Sequence, residues 1–305
     1  MRWLKTKRIS VFTSVPYAGN PAWIILGADA AADEDQLVRL ARELNPLSDT
    51  TFIFPGRDGA DTHLRFFSQS EEIRFSGHGT IAAYIALENE GALKLTEPVT
   101  CLKQKTKAGI QPIELRVENK KVKRITVSLP APRVISMQLE IKTISNFLGI
   151  PPVDITETSM PVKAVESGLV EIAVPVRSIR TLLEMEPNFQ LMKNYCERFG
   201  ITGILAFSTE TRERSSNVHM RHFAPSVGIN EDPASGGAAA CLGYYLVEAG
   251  IIPAEEMTRI VVEQGYAMQR PGIIYVHVYT VKKEIMHVSF GGQGVITFEG
   301  KVMLP

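Results

Sequence analysis

Cysteine is scarce in this sequence: of 305 residues only Cys101, Cys196 and Cys241 are cysteines, far apart and with no C-x-x-C pair. That pattern excludes a disulfide framework and a cysteine-built structural zinc site, and it fits a reducing cytoplasm. Neither charge is in surplus, with 33 basic and 33 acidic side chains. Nucleic acid is therefore not an expected partner, because phosphate binding calls for clustered Lys and Arg. No run of 18 apolar residues exists, so no membrane span is expected. The basic start Met1–Arg8 is followed by no apolar stretch of the signal-peptide kind, so no secretory leader is expected. Gly77-His78-Gly79 lacks the third glycine of a dinucleotide loop, and neither a P-loop nor a nucleophile elbow occurs. His219 and His222, three apart on a strand-like stretch, point to opposite faces and make a poor metal pair. No metal and no cofactor is expected.

What is present is an ordinary globular composition, 45% hydrophobic and 22% charged, on a chain long enough for two domains. Strand-like segments dominate. Between them, helices are expected over 33–45, where Leu37, Leu40, Ala41 and Leu44 form one apolar stripe, and over about 139–148 and 189–199. Two further helices, 77–90 and 236–249, are rich in small residues and apolar nearly all round, which marks buried helices. The pattern breaks near Leu129-Pro130-Ala131-Pro132 and a second cycle begins. His63-Leu64-Arg65-Phe66-Phe67 returns as His219-Met220-Arg221-His222-Phe223, an offset of 156 that also pairs Ser70 with Ser226 and Ile73 with Ile229. After three extra residues, Ser76-Gly77 matches Ser235-Gly236 at an offset of 159, kept through Gly91 and Gly250 at the helix ends. The chain is therefore expected to be a duplicated α+β protein of two pseudo-symmetric domains, each a β-barrel-like sheet around a central helix. The expected domains are 1–129 and 130–305, the final strand free to return to the first, with a ligand cleft between them.

Both buried helices open on Ser-Gly. Free N–H groups at such starts, aligned with the helix dipole, suit an anion such as a carboxylate. Close packing explains glycines at one helix start equally well; two matched copies favour a ligand site built from Ser76, Gly77, Gly79, Ser235, Gly236 and Gly237. His78 lies one residue into the first start, where an imidazole could donate to a substrate or carry a proton, or could simply be packed against backbone. Asp49 and Asp232 stand in turns just before an apolar strand and the second helix, and an ordinary turn or cap role accounts for such carboxylates as well as chemistry does.

Several of these segments together resemble one family. Val11-Phe12-Thr13, Tyr17-Ala18-Gly19-Asn20-Pro21-Ala22, Leu47-Ser48-Asp49-Thr50-Thr51-Phe52, the stretch from Phe67 to Thr80, Glu231-Asp232-Pro233-Ala234-Ser235-Gly236, Gln264-Gly265-Tyr266 and Gly291-Gly292 are similar to the PhzF-like (phenazine biosynthesis-like) isomerases, in order and over nearly the whole chain. The resemblance implies the diaminopimelate epimerase-like fold and a cofactor-free isomerase that moves a proton on a small carboxylate-bearing metabolite in the cleft. It places Asp49 at the family's catalytic carboxylate, as Asp where the family has Glu, a loss of reach of about 1.5 Å. It makes His78 and Asp232 the polar groups that hold substrate, adds Asn20 to the binding set, puts Gly237 where a serine is usual, and implies a homodimer. Two alternatives share the scaffold: an amino-acid racemase or epimerase, whose paired cysteines would fall at Ser76 and Ser235, and a non-catalytic small-molecule-binding protein.

Overall fold

The computed structural model describes residues 2–27, 33–44 and 49–304, and the chain divides into two compact units. The first extends to Ser128 and takes the chain back from Gly291 onward; the second is Leu129–Phe290. Asn45–Ser48, part of one motif above and the end of the expected helix 33–45, lie outside the described residues.

The first unit is built from β1 (Arg2–Val11), β2 (Asn20–Leu26), α1 (Glu34–Leu44), β3 (Thr50–Pro55), β4 (Thr62–Phe67), β5 (Glu72–Ile73), α2 (Gly77–Asn89), β6 (Val99–Thr106), β7 (Gly109–Glu118) and β8 (Lys121–Pro130). The last strand, Gly294–Leu304, pairs antiparallel along the length of β1. From there the order is β1–β2 antiparallel, β2–β3 parallel, β3–β4 antiparallel, β4–β6 parallel and β6–β7 antiparallel. Each parallel step needs a crossover, and α1 and α2 supply them. The stripe on α1 works as its spacing predicts: Leu37, Leu40 and Ala41 pack with Ile25, Phe52, Phe54 and Phe67. Helix α2 is instead buried on most sides, with Ile81, Ala82, Ala83, Tyr84 and Ala86 fully enclosed, and it touches β1, β2, β3 and the last strand.

The second unit continues with β9 (Arg133–Ile135), α3 (Ile141–Leu148), α4 (Val153–Thr156), β10 (Lys163–Glu166), β11 (Val170–Pro175), α5 (Ile179–Glu184), α6 (Phe189–Phe199), β12 (Gly203–Ser208), β13 (Val218–Ala224), β14 (Ile229–Asp232), α7 (Gly236–Glu248), β15 (Met257–Gln264), β16 (Gly272–Val281) and β17 (Glu284–Gly292). Its pairings repeat the first unit step for step: β10–β11 antiparallel, β11–β12 parallel, β12–β13 antiparallel, β13–β15 parallel, β15–β16 antiparallel. Among the described residues no helix is long and apolar enough to cross a membrane.

The strand register corrects one step of the duplication. Phe66 pairs with Ile73 on β5, and His222, the counterpart of Phe66, pairs with Asp232 on β14. Ile73 therefore corresponds to Asp232, not to Ile229, and the three extra residues fall inside the turn, where Pro225–Val227 form a 3₁₀ turn. Equivalence in a sheet is set by backbone pairing, whereas a repeated isoleucine in a turn is local chance. The correction also exposes a duplicated ion pair. Arg65 grips Glu72 with bonds of 2.9 and 2.8 Å, and Arg221 grips Glu231 with the same two lengths.

His63, on β4, shows how such burial becomes a pH dependence. Burial, together with the charges of Arg57 and Arg65, pushes its imidazole down to about 4. Its Nε2 accepts from Arg57 Nη2 at 3.2 Å, which requires that nitrogen to be unprotonated. In the unfolded chain the ring takes its proton near pH 6.5. Stability present above pH 6.5 is therefore lost as the pH falls towards 4, by about 3 kcal/mol for this group. Urea unfolding at pH 7 and pH 4.5 is expected to show a smaller acid loss in His63→Phe than in the parent; equal losses would refute this role.

Candidate active site

Ser76 starts α2. Its extended backbone (φ −135°, ψ 120°) turns the side chain onto the first turn, where Oγ accepts the Gly79 N–H at 3.1 Å. Ser235 does the same for α7, accepting from Ala238 N at 3.3 Å. The hydroxyls singled out in the sequence thus cap their helices, and the Gly79 amide is engaged by its cap. Gly79 has a different task from ligand binding: a Cβ there would come within 2.4 Å of Thr51 Oγ1 and 2.8 Å of Ser76 Oγ. Only glycine lets the start of α2 sit this close to β3.

That approach brings two expected site residues together. Asp49 immediately precedes β3, is 7% exposed, and its Oδ1 lies 2.8 Å from His78 Nε2. The other ring nitrogen, Nδ1, faces Ser76 Oγ at 3.4 Å. The bonding is consistent along the chain: Gly79 N–H donates to Ser76 Oγ, Ser76 O–H points to His78 Nδ1, and Nε2–H donates to the carboxylate. Such an arrangement selects one imidazole tautomer and holds the carboxylate as an oriented acceptor, which is what a proton-transferring group requires. Asn20, also expected in the site, is the buried first residue of β2, paired with Val11.

The second unit is not a chemical copy of this arrangement. Thr50 and Ile204 occupy the same sheet position, opposite Phe67 and Phe223, so Asp49 corresponds to Gly203. His78 corresponds to Gly237, around which a Cβ would meet nothing within 4 Å. The start of α7 is bare, and Gly236 and Gly237 present backbone there. Asp232, just ahead of it, accepts from Ala234 N at 3.2 Å through Oδ1. Gln264 ties this turn to β15, donating to Asp232 O at 2.6 Å and accepting from Ser235 N at 3.0 Å.

Two residues of this region escaped the sequence reading. Glu171, on β11, lies with Oε2 3.2 Å from His222 Nε2, and His222 Nδ1 lies 3.9 Å from Asp232 Oδ2. Burial alone would lower the His222 imidazole, but the charges of Glu171 and Asp232 outweigh it and raise it to about 10. Two signals could have found them: a lone acid inside the apolar run Leu169–Val174, and the one position in the His63–Phe67 echo where a phenylalanine becomes histidine.

The two classes of glycine give opposed expectations. Gly79→Ala is expected to cost about 1–3 kcal/mol, as overpacked sites do, and to separate His78 from Asp49. Gly237→Ser, into open space, is expected to stay within about 0.5 kcal/mol of the parent. Thermal unfolding of the two variants side by side is the check, and a Gly79→Ala protein as stable as the parent would contradict the packing argument.

The sequence model of the family described as "Phenazine biosynthesis-like protein" matches residues 9–300. An uncharacterized isomerase of Clostridium acetobutylicum is 32% identical over 301 residues, covering 97% of each chain. The trans-2,3-dihydro-3-hydroxyanthranilate isomerase of Pseudomonas fluorescens is 28% identical over 296 residues, covering 97% of this chain and 98% of its own. The crystal structure of a Bacillus anthracis phenazine biosynthesis protein of the PhzF family superposes with a TM-score of 0.90 at 26% identity, over 99% of this chain and 100% of that one.

Proposed function

The chain belongs to the phenazine biosynthesis-like family and is an isomerase, and from that premise we propose that it moves a proton between two carbons of a small carboxylate-bearing metabolite without a cofactor. The observation that carries this reading is the 2.8 Å contact between Asp49 and His78 at the start of α2. Asp49 acts as the base: its carboxylate takes a proton from an activated C–H bond, and the freed electron pair moves into the adjoining unsaturated system. The same carboxyl group then returns the proton to a second carbon, so the formula of the metabolite is unchanged. His78 keeps the carboxylate oriented while it is charged. The bare amides at the start of α7 and the Asp232 carboxylate hold the polar groups of the substrate.

The two-base racemase reading has less support. Ser76 and Ser235 stand where its thiols would be, and both hydroxyl oxygens are taken up as caps. Burial also pushes the Cys196 thiol up to about 12 and raises that of Cys241 further, so neither supplies a thiolate near neutral pH.

The test is incubation with trans-2,3-dihydro-3-hydroxyanthranilate in D₂O, followed by NMR for isomerisation and for deuterium at the carbon that receives the proton. Asp49→Glu, which restores the usual reach of the family, is expected to turn this compound over at least as fast as the parent. A Glu variant less active than the parent would mean that the site is built for the shorter acid and a differently placed carbon.

A further inference from the structure

We propose that His222 is a positioning residue for Asp232: clamped by Glu171 from one side, its imidazole fixes the carboxylate that stands before α7. The inference rests on the reading of Asp232 as a group that holds substrate.

Three observations carry it. The first is the line of contacts, Glu171 Oε2 to His222 Nε2 at 3.2 Å and His222 Nδ1 to Asp232 Oδ2 at 3.9 Å, through opposite nitrogens of one ring. Glu171 and His222 are only 4% and 5% exposed. Nδ1 is buried without a hydrogen-bond partner among the described residues, and a small rotation of the Asp232 carboxylate would bring Oδ2 to it.

The second is the room made for the cluster. A Cβ on Gly203 would lie 2.4 Å from Glu171 Oε2 and 2.5 Å from His222 Nε2. The position equivalent to Asp49 in the first unit is thus vacated so that the Glu171–His222 contact can form.

The third is the comparison between the units, which shows that the fold does not need these charges. By the strand register, Glu171, His222 and Asp232 correspond to Ala22, Phe66 and Ile73. The first unit makes the same pairings with apolar side chains. Burying a carboxylate and an imidazole costs free energy that an apolar pair avoids. A cluster kept at that cost, ending on the one carboxylate at the helix start, has its use in holding that carboxylate. Glu171 from β11 and Asp232 from β14 are the charged groups facing His222, and both favour its protonated form. The ring therefore presents a hydrogen on each nitrogen, and Asp232 is kept as an oriented anion.

The experiment uses His222→Phe, which copies the first unit, and His222→Gln, which carries the test if the phenylalanine variant fails to fold. Crystal structures of parent and variants report the Asp232 carboxylate directly. Its displacement by a rotamer is expected in both variants, and an unmoved carboxylate overturns the proposal. With trans-2,3-dihydro-3-hydroxyanthranilate as the probe, KM is expected to rise about 10- to 100-fold, with kcat less affected, as for a misplaced binding group. The alkaline limb expected near pH 10 in the parent should be lost in His222→Gln. Kinetics within twofold of the parent, in a protein where Asp232→Ala is itself severely impaired, would also overturn it. If Asp232 moves in the variants while Asp232→Ala leaves turnover intact, the positioning stands and the assignment of Asp232 to substrate falls.

Discussion

Asp49→Asn is expected to lower solvent deuterium incorporation by roughly 10²- to 10⁴-fold, the range for loss of a general acid–base group. The substitution is close to isosteric. An amide oxygen can still accept from His78 Nε2, so the 2.8 Å contact and the packing against β3 need not change. What is lost is the ability of the group to take a proton from carbon. Substrate binding is therefore expected to survive, with the loss confined to kcat. Exchange that persists undiminished in Asp49→Asn would remove this carboxylate from the chemistry and transfer the role to His78, its hydrogen-bonded neighbour.

The largest loss of stability is expected at Arg221. Its guanidinium binds Glu231 through two bonds and also donates to the carbonyls of Leu182 and Met185, each at 2.9 Å, with a side chain only 7% exposed. Arg221→Ala would leave a mostly buried carboxylate and two buried carbonyls without their donor, a change that costs about 3–5 kcal/mol. Arg65 makes the same double bond to Glu72 in the first unit, but its side chain is 19% exposed and its further bond runs to the exposed carboxylate of Glu34. Lys107 also stands 4.0 Å from Glu72 and would compensate part of the charge left behind. Arg65→Ala is accordingly expected to cost about 1–2 kcal/mol, between the surface and buried limits. Urea midpoints of the two variants measured together decide the matter. Equal losses would mean that the buried carbonyl contacts of Arg221 contribute nothing.

Much of the architecture was legible in the sequence because it rests on signals carried by neighbouring residues. An amphipathic stripe such as Leu37, Leu40 and Ala41 encodes its own helix and its own buried face. The two small-residue helices were legible because an enclosed helix has room only for small side chains on most sides, and their Ser caps because capping is a bond within one turn. The repeat itself survived as identical residues at constant offsets. Short elements such as β9, β10, α4 and α5 left no such trace. They are too short for a periodic pattern, and the two strands exist because a partner strand pairs with them.

The sequence by itself determined the α+β class, the duplication, the capped buried helices and the residue types from which a carboxylate-binding, proton-moving site can be made. Only the tertiary structure decided which of those residues meet. Asp49 and His78 are brought to 2.8 Å by the close approach of α2 to β3 that Gly79 permits. Glu171, His222 and Asp232 are joined through the parallel pairing of β11 with β12 and the hairpin of β13 with β14. The equivalence of Ile73 with Asp232, misread from a repeated isoleucine, was likewise settled by backbone register. The physical reason is the same in each case. Side-chain periodicity specifies which face of an element is buried, but the partner across a sheet is chosen by hydrogen-bond register and packing between segments far apart in the chain.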